Sequence, residues 1–241
     1  MNKAELRWPI RSETDKGLVI ARISAEASFK TKAYAALKEA ITNLDIYQSS
    51  EPIMLDEREL SEKLGVSRTP IREAVAMLEQ EGFLRTVPRR GILVVRRTKR
   101  EIIEMIQAWA ALESMAARLI TLQCSDGEIR TLRILFQAFG QDYGVHEHLD
   151  EYSSANIAFH QSIIRLSGSS VLAAMTDNLF LHVKSIRHRT IFERDRAERS
   201  IADHMEIIEA LEARDTERAE RLVRDHTLRL GHHVERHVDL D

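Results

Sequence analysis

The sequence predicts a mainly α-helical protein with an N-terminal winged helix-turn-helix, whose wing is a small β-hairpin, and a C-terminal all-helical bundle. Two short amphipathic segments meet at Gly65-Val66, which is the layout of a helix-turn-helix. Two β-prone runs, residues 83–87 and 92–95, flank a turn that contains proline and glycine, as in a hairpin. From Glu101 onward apolar residues recur with a helical period, and no segment alternates as a strand does.

Composition and charge limit the class of protein. The single cysteine, Cys124, excludes an intrachain disulfide. No apolar run approaches the roughly 18 residues of a membrane span, and the N-terminus lacks the apolar core of a signal peptide. We therefore expect a soluble, cytoplasmic protein with no membrane partner. Residues 30–100 carry 14 Lys and Arg against 10 Asp and Glu, whereas residues 101–241 have a net charge of −8. This asymmetry suits one DNA-reading domain joined to a domain with another role.

Four parts follow from these patterns. Residues 1–29 have mixed charge and no clear periodicity, so we expect an N-terminal arm that is partly disordered. Residues 30–95 form the predicted winged helix-turn-helix, with a first helix from about Thr31. Residues 96–100 are a basic linker, and residues 101–241 form the helical domain.

The first helix of the motif begins near Asp56. Asp56 and Glu59 have the spacing of a capping box, and Leu60 and Leu64 are predicted to form the buried stripe of this helix. Gly65 permits the tight bend that lets the second helix cross the first.

The second helix has the pattern of a recognition helix. Ser67 is its predicted N-cap, and its apolar face consists of four residues at helical spacing, Ile71, Ala74, Val75 and Leu78. Arg68, Thr69 and Arg72 lie at the edge of this face or away from it. The N-terminal residues of a recognition helix meet base edges, where Arg can donate two hydrogen bonds to guanine. An exposed helix with two arginines is often merely solvated, but the hairpin tipped by Arg89, Arg90 and Gly91 favours DNA binding.

Three segments resemble the N-terminal signature of GntR-family transcription regulators. They are Arg58-Glu59-Leu60-Ser61, the run from Gly65 to Ala74, and Pro88-Arg89-Arg90-Gly91, and the resemblance covers about residues 33–95. In that family the Arg of the first helix, the Ser-Arg-Thr-x-x-Arg of the second and the wing glycine contact double-stranded operator DNA. The resemblance therefore implies DNA contacts by Arg58, Ser67, Arg68, Thr69, Arg72 and Gly91, with Arg89 and Arg90 beside them.

Six helices are predicted in the helical domain. The first begins at Glu101, and the second is opened by a capping box of Ser125 and Glu128 and runs to about Phe139. The other four are predicted at residues 150–166, 171–188, 195–214 and 217–233, and Asp215 caps the last.

Four polar residues are candidates for a metal site. Asn156 and His160 are four residues apart and share a helix face. His204 and His226 lie midway along the fifth and sixth helices. Three imidazoles and an amide oxygen suit Zn²⁺, Ni²⁺ or Mn²⁺. By spacing alone, however, three of the ten histidines on separate helices more often lie apart than form a site.

The helical domain resembles the FCD effector domain of the FadR-like subgroup over about residues 101–235. The matching segments are Leu112-Glu113, Asn156-x-x-Phe159-His160, Ser200-x-x-x-His204-x-x-Ile207-x-x-Ala210-Leu211 and Ala219 to His226. In many FCD proteins an Asp or Asn and three His hold a divalent metal beside a pocket for a small carboxylate. The resemblance implies a metal at Asn156, His160, His204 and His226, a small-molecule effector, and a homodimer on a near-palindromic operator.

Two positions depart from that family pattern. Asn156 stands where Asp is commoner, which removes a negative ligand. Trp109 stands where relatives often have an Arg that pairs with the effector carboxylate. Because Trp cannot make that bidentate bond, a simple organic acid is a poorer fit, and we expect Trp109 in the core.

Three classes of function remain to be compared. A ligand-responsive regulator explains the basic winged helix and the separate acidic bundle. A metalloenzyme would use the three His and Asn catalytically, but the sequence has neither a His-Glu-x-x-His motif nor the Glu-x-x-His pairs of di-iron bundles. A structural or interaction protein would use the helical bundle as a scaffold. We expect a regulator with no catalytic residues.

Overall fold

The computed structural model describes residues 28–44, 46–47, 51–136, 148–193 and 196–240. Most of the predicted N-terminal arm and the end of the predicted second bundle helix therefore lie outside the described residues. The elements are α1 Phe29–Thr42, β1 Met54–Leu55, α2 Glu57–Leu64, α3 Arg68–Gln80, β2 Leu84–Val87, β3 Gly91–Val94, α4 Lys99–Gln123, α5 Asp126–Ile134, α6 Leu149–Leu166, α7 Ser170–Ile191, α8 Arg196–Glu212 and α9 Thr216–His237. This order confirms a mainly helical chain with an N-terminal winged helix and a C-terminal bundle.

The wing is part of a three-stranded antiparallel sheet with strand order β1-β3-β2. Strands β2 and β3 pair from Leu84 opposite Val94 to Val87 opposite Gly91, which confirms the predicted hairpin. Strand β1 was not predicted, because two residues are too few to show alternation. It pairs with β3 and adds a third strand to the sheet.

Gly91 has a structural role at this sheet. Its φ of 110° lies in the left-handed region, and a Cβ there would lie 2.8 Å from the carbonyl oxygen of Leu55. Any larger residue would therefore push β1 away from β3, because backbone cannot move aside as a flexible side chain can. The requirement for glycine at the wing follows from the sheet alone, whatever else Gly91 contacts.

The ends of α2 differ in part from the prediction. Asp56 caps the helix by accepting hydrogen bonds from the backbone N–H groups of Arg58 and Glu59, at 2.9 and 3.0 Å. The prediction of a full capping box was wrong. The Glu59 carboxylate does not return to the N-cap but forms an exposed ion pair with Lys63 Nζ at 2.7 Å. Gly65 ends the helix in the left-handed conformation, as predicted. Leu60 and Leu64 are half-buried rather than buried.

Helix α3 packs its apolar face against α1. The four residues predicted for that face, Ile71, Ala74, Val75 and Leu78, are all buried, and they meet Ala33, Leu37 and Ile41 of α1 in one core. Ser67 occupies the N-cap position of α3, although its side chain makes no capping hydrogen bond. The helix is thus held by its C-terminal two-thirds, and its first turn projects into solvent.

The bundle is built around α4, which is 25 residues long. A capping box of Thr98 and Glu101 starts α4 at Lys99, two residues before the predicted start, so the end of the basic linker is helical. Helix α4 lies along α9 at close range: a Cβ on Gly231 would lie 3.4 Å from Ile106 Cγ2. The capping box of Ser125 and Glu128 that starts α5 is present as predicted.

Helix α5 ends at Ile134, well before its predicted end near Phe139. The remaining helix boundaries follow the predictions within a few residues, apart from the C-terminal end of α9. That helix continues to His237, four residues beyond the predicted end, and Asp215 caps its start as expected. Across the described ranges, none of the helices combines the length and apolarity that crossing a bilayer requires.

Helix α7 connects the two domains. Ile186 of this helix is buried, and three polar residues of the same helix contact the end of the winged helix. His182 Nδ1 lies 2.7 Å from the Tyr47 hydroxyl, and Arg189 donates to the Tyr47 carbonyl at 2.6 Å. Lys184 Nζ donates to the carbonyl of Thr42 at 3.2 Å. The winged helix therefore rests on α7 through hydrogen bonds as well as through the linker.

The junction gives the protein a pH-dependent stability. Burial lowers the pKa of His182 to about 4, with the Arg97 charge adding to the effect and Glu101 opposing it. A lowered folded-state pKa means that stability is complete above the ordinary His pKa near 6.5 and is lost as pH falls towards 4. Between pH 7 and pH 5 this group should cost about 2 kcal/mol of stability.

The measurement is urea unfolding of the parent and of His182→Asn at both pH values. Asn keeps a hydrogen-bond acceptor near the position of Nδ1 but does not titrate in this range. We expect the loss of stability between pH 7 and pH 5 to be smaller in the variant, while all other titrating groups cancel in the comparison. Equal losses in the two proteins would show that His182 is not the group responsible.

Candidate metal centre and nucleic-acid interface

Three of the predicted metal ligands meet in the middle of the bundle. His160 of α6, His204 of α8 and His226 of α9 each offer a ring nitrogen, and these atoms lie within 4.8 Å of one another. The Nε2 atoms of His160 and His204 are 3.4 Å apart. All three side chains are buried, at 2%, 0% and 7% exposed. Three separate helices thus bring their imidazoles together.

The other ring nitrogen of each histidine already has a partner. His160 Nδ1 lies 2.5 Å from Glu113 Oε1, and His226 Nδ1 lies 2.9 Å from Asp203 Oδ2. His204 Nδ1 lies 3.2 Å from the Tyr152 hydroxyl. When each Nδ1–H donates to its oxygen partner, the three Nε2 lone pairs are left for a common ligand. Carboxylate partners of this kind fix the tautomer and orientation of metal-binding histidines.

Burial also keeps these rings neutral, which metal binding requires. It lowers the pKa of His160 and of His204 well below the usual value, and the charges of Arg187 and of neighbouring His226 act in the same direction. The pKa of His226 is lowered less, because the hydrogen bond to Asp203 opposes burial. The imidazoles are therefore in the state that coordinates a cation at neutral pH.

Asn156, the fourth predicted ligand, lies one turn before His160 in α6 and lines the same cavity as His226. It is 2% exposed, and its Oδ1 has no hydrogen-bond partner within the part of the chain that the structure describes. A buried amide oxygen without a partner costs roughly 1–3 kcal/mol, so it needs a ligand or another donor. Three neutral imidazoles and one amide oxygen fit Zn²⁺, Ni²⁺ or Mn²⁺, and the residues present are compatible with such an ion.

Glu113 is a buried acid that the sequence reasoning did not assign to the site. It is 0% exposed, and its second oxygen accepts from Thr227 Oγ1 at 2.8 Å. Arg187 Nη2 lies 3.9 Å from that oxygen and donates to the same Thr227 hydroxyl at 3.0 Å. Burial raises the pKa of Glu113, while Arg187 and Thr227 oppose the shift. The signal in the sequence was an acid among the apolar positions of α4, four residues after Trp109.

Two further positions correct or support the sequence reasoning. Asp203 has the pattern of an exposed helix position, but its Oδ2 lies 2.9 Å from His226 Nδ1 and 2.7 Å from Arg229 Nη2. It faces α9 because α8 and α9 form an antiparallel pair, which spacing along one helix cannot reveal. Trp109 lies in the core, as predicted, at 2% exposed.

A cavity of about 620 Å³ opens beside the histidines between α7, α8 and α9. Its lining includes Asn156, His226, Arg187 and Arg196. Of the three clustered histidines, His226 borders this space, which is large enough for a small metabolite.

The residues predicted to contact DNA lie at the exposed ends of the winged helix. Ser67, Arg68 and Thr69 form the exposed start of α3, and Arg89 and Arg90 form the exposed tip of the wing. Gly91, beside that tip, is half-buried in the sheet.

Two of the arginines predicted to contact DNA are held by acids. Arg58 Nε lies 3.2 Å from Glu62 Oε1, and Arg72 Nε donates to Glu57 Oε2 at 2.9 Å. Both pairs border the groove between α2 and α3 that also contains Arg68. Contact with phosphate or bases would exchange these carboxylates for DNA atoms, so the net gain from Arg58 and Arg72 is smaller than their charge suggests.

Comparison with known proteins gives two family matches. Residues 29–94 match the model described as bacterial regulatory proteins, gntR family, and residues 104–229 match the FCD domain. Similar curated proteins include the Uxu operon regulator of Haemophilus influenzae, 29% identical over 70% of this chain and 69% of that protein. The HTH-type transcriptional repressor GlaR of Escherichia coli is 28% identical over 68% of this chain and 77% of its own.

A solved structure of similar fold is Escherichia coli McbR/YncC, with a TM-score of 0.67 and 22% identity. The match covers 85% of this chain and 95% of that one, so it spans both domains. At this level of identity the likeness shows the fold alone.

Proposed function

Because this chain belongs to the GntR family of bacterial regulatory proteins and carries an FCD domain, we propose that it is a regulator that binds a near-palindromic operator as a homodimer and senses a small metabolite in a metal-containing helical domain. Its relatives are transcription regulators rather than enzymes, and no catalytic role is assigned to the histidine cluster. The regulator acts in the cytoplasm, where its operator is.

The observation that carries this function is the double attachment of α7. One face of α7 lines the ligand cavity with Arg187 and Ile191. His182 and Arg189 of the same helix contact Tyr47 at the base of the winged helix. A ligand that shifts α7 by a fraction of an ångström changes the position of the DNA-binding domain, because a packed helix moves as a unit.

The proposed metal is held by Asn156, His160, His204 and His226. When bound, a divalent cation supplies a Lewis-acidic anchor for a ligand oxygen at the end of the cavity. Glu113 and Asp203 hold two of the imidazoles in the coordinating tautomer, and Thr227 and Arg187 in turn hold Glu113. The chain thus prepares the site from three helices before any ligand arrives.

The dimer follows from the size of the DNA-reading surface. One winged helix contacts only a few base pairs, which is too little for operator specificity, and two-fold proteins match two-fold sites. The helical domain provides the dimer contact, as in related FCD proteins. This arrangement puts one recognition helix in each half-site.

The test is selection of duplexes from a random library with the full-length protein, followed by fluorescence anisotropy on the enriched site. We expect an inverted repeat bound by two chains, with a scrambled duplex bound at least about 1000-fold more weakly. Light scattering on the free protein and on the complex gives the stoichiometry. Failure to enrich any sequence would contradict operator recognition, and one chain per site would contradict the dimer.

A further inference from the structure

We propose that Glu57 is a specificity-determining residue of the DNA-binding domain, which makes contact between Arg72 and a phosphate less favourable than contact between Arg72 and a base edge. This rests on the proposed operator recognition and adds a residue that acts against non-specific DNA. Glu57 belongs to the first turn of α2, outside the set of residues predicted to contact DNA. Its effect is to lower affinity for other sequences rather than to bind the operator.

The carboxylate of Glu57 faces the guanidinium of Arg72 across the groove between α2 and α3. Arg72 Nε donates to Glu57 Oε2 at 2.9 Å, and Glu57 Oε1 lies 2.8 Å from the same nitrogen. Arg68 lines the same groove. It is four residues before Arg72 and so shares a face of α3 with it. The acid therefore lies beside the residues through which α3 is proposed to meet DNA.

The side chain of Glu57 is less exposed than that of the other acid paired with an arginine in this groove. Glu57 is 29% exposed, whereas Glu62, which pairs with Arg58, is 67% exposed. Oε1 of Glu57 is buried and has no hydrogen bond within the described ranges, so the nearby Arg72 cation balances its charge. Water and salt screen a partly buried charge less than an exposed one. Glu57 therefore acts more strongly than Glu62 on other charges that enter the groove.

A phosphate and a base edge respond differently to this carboxylate. Both must take a hydrogen-bond donor of Arg72 from Glu57, but the phosphate carries a full negative charge and the guanine edge carries none. Glu57 therefore repels a phosphate at Arg72 and does not repel guanine O6 and N7 in the same way. Non-specific binding depends on phosphate contacts, so the carboxylate weakens it more than it weakens operator binding. Glu57 thus raises the ratio of operator affinity to non-specific affinity.

The experiment compares the full-length parent and Glu57→Gln by fluorescence anisotropy on the selected operator and on a scrambled duplex, at several salt concentrations. Gln keeps the length of the side chain and removes its charge. Affinity for the scrambled duplex should rise at least about threefold, while operator affinity should change by less than about twofold. Arg72 is then free to neutralise a phosphate of the scrambled duplex. The slope of log K against log salt concentration should therefore steepen on that duplex by about 0.9 for each chain bound.

Three control variants separate the pair from a general change in charge. Glu39 is exposed on α1 and is not part of the groove lining, so Glu39→Gln should leave the affinity ratio of the two duplexes unchanged. Glu62→Gln should lower that ratio less than Glu57→Gln does, because Glu62 is more exposed. In an Arg72→Ala background, adding Glu57→Gln should no longer steepen the salt dependence, because the guanidinium that it would release is gone.

Two results would overturn the proposal: an affinity ratio in Glu57→Gln equal to that of the parent, or a salt dependence on the scrambled duplex that steepens equally without Arg72. The parent's own preference for the operator tests the proposed function. A parent that binds both duplexes equally counts against operator recognition itself. A parent that discriminates, with a Glu57→Gln variant that discriminates equally well, counts against the role of Glu57 alone.

Discussion

Replacing His204 by Ala is expected to release the metal and to remove the stabilisation that added metal gives. His204 is 0% exposed, and its Nε2 points to that of His160 at 3.4 Å. Mutation of an outer-shell partner of a metal ligand typically lowers affinity 10- to 100-fold, so loss of an imidazole ligand should lower it by at least about 100-fold. In the parent, zinc at 100 times its dissociation constant adds about 2.7 kcal/mol of stability, and in the variant the gain should vanish.

The packing around His204 requires a control. Its ring centroid lies 4.8 Å from that of Phe136 and 4.4 Å from that of Phe159, so the substitution also leaves a hole in the core. Such holes cost about 2–5 kcal/mol with or without metal. Tyr152→Phe removes the hydroxyl that contacts His204 Nδ1 and keeps the ring, so it should weaken metal binding without a comparable loss of apo stability.

Elemental analysis and thermal unfolding with and without Zn²⁺ separate these effects. The decisive quantity is the shift in Tm on adding metal, because the packing loss cancels between the two conditions. A His204→Ala protein that keeps a full equivalent of metal, or the parent's metal-induced Tm shift, would contradict the proposed centre.

Replacing Arg68 by Ala is expected to lower operator affinity by about 1–3 kcal/mol, which is roughly 5- to 150-fold, and to relax base preference at one position of each half-site. Arg68 is the first residue of α3 and is exposed at the end that a recognition helix presents to base edges. Arg58 and Arg72 are already paired with Glu62 and Glu57, so their replacement should cost less.

Two controls give the Arg68 result its meaning. Arg89→Ala removes a charge from the tip of the wing, and it should weaken binding evenly across sequences and reduce the salt dependence of affinity. Arg221→Ala, in the helical domain, should change neither the operator affinity nor its salt dependence. Anisotropy on the selected operator and on single-base variants at two salt concentrations is the measurement. Parent-like affinity of Arg68→Ala would show that α3 is not the recognition helix.

The features predicted from sequence are those that depend on local periodicity. The buried face of α3 follows from apolar residues three and four apart, and Asn156 and His160 share a face of α6 for the same reason. Strand β1 escaped prediction because its two residues form a strand through pairing with β3, which lies nearly 40 residues away.

The residues that support the proposed metal centre could not be predicted, because each contact joins different helices. Asp203 has an ordinary surface pattern in α8, and its role depends on the register of α8 against α9. Arg187 was missed because α7 is buried on several sides, so its polar residues show no single exposed face. The resemblance to the FCD domain indicated which histidines to compare, and it carried no information on Glu113 as their neighbour.

Asn156 makes the proposed ligand set formally neutral, since three imidazoles and an amide bring no negative charge. A divalent cation there keeps more of its charge than beside an aspartate, so it binds more weakly alone and attracts an anion more strongly. Cation and anion then raise each other's affinity by the same factor, as thermodynamic linkage requires. If metal and metabolite bind as proposed, operator occupancy depends on both together, and removing either one should have nearly the effect of removing both.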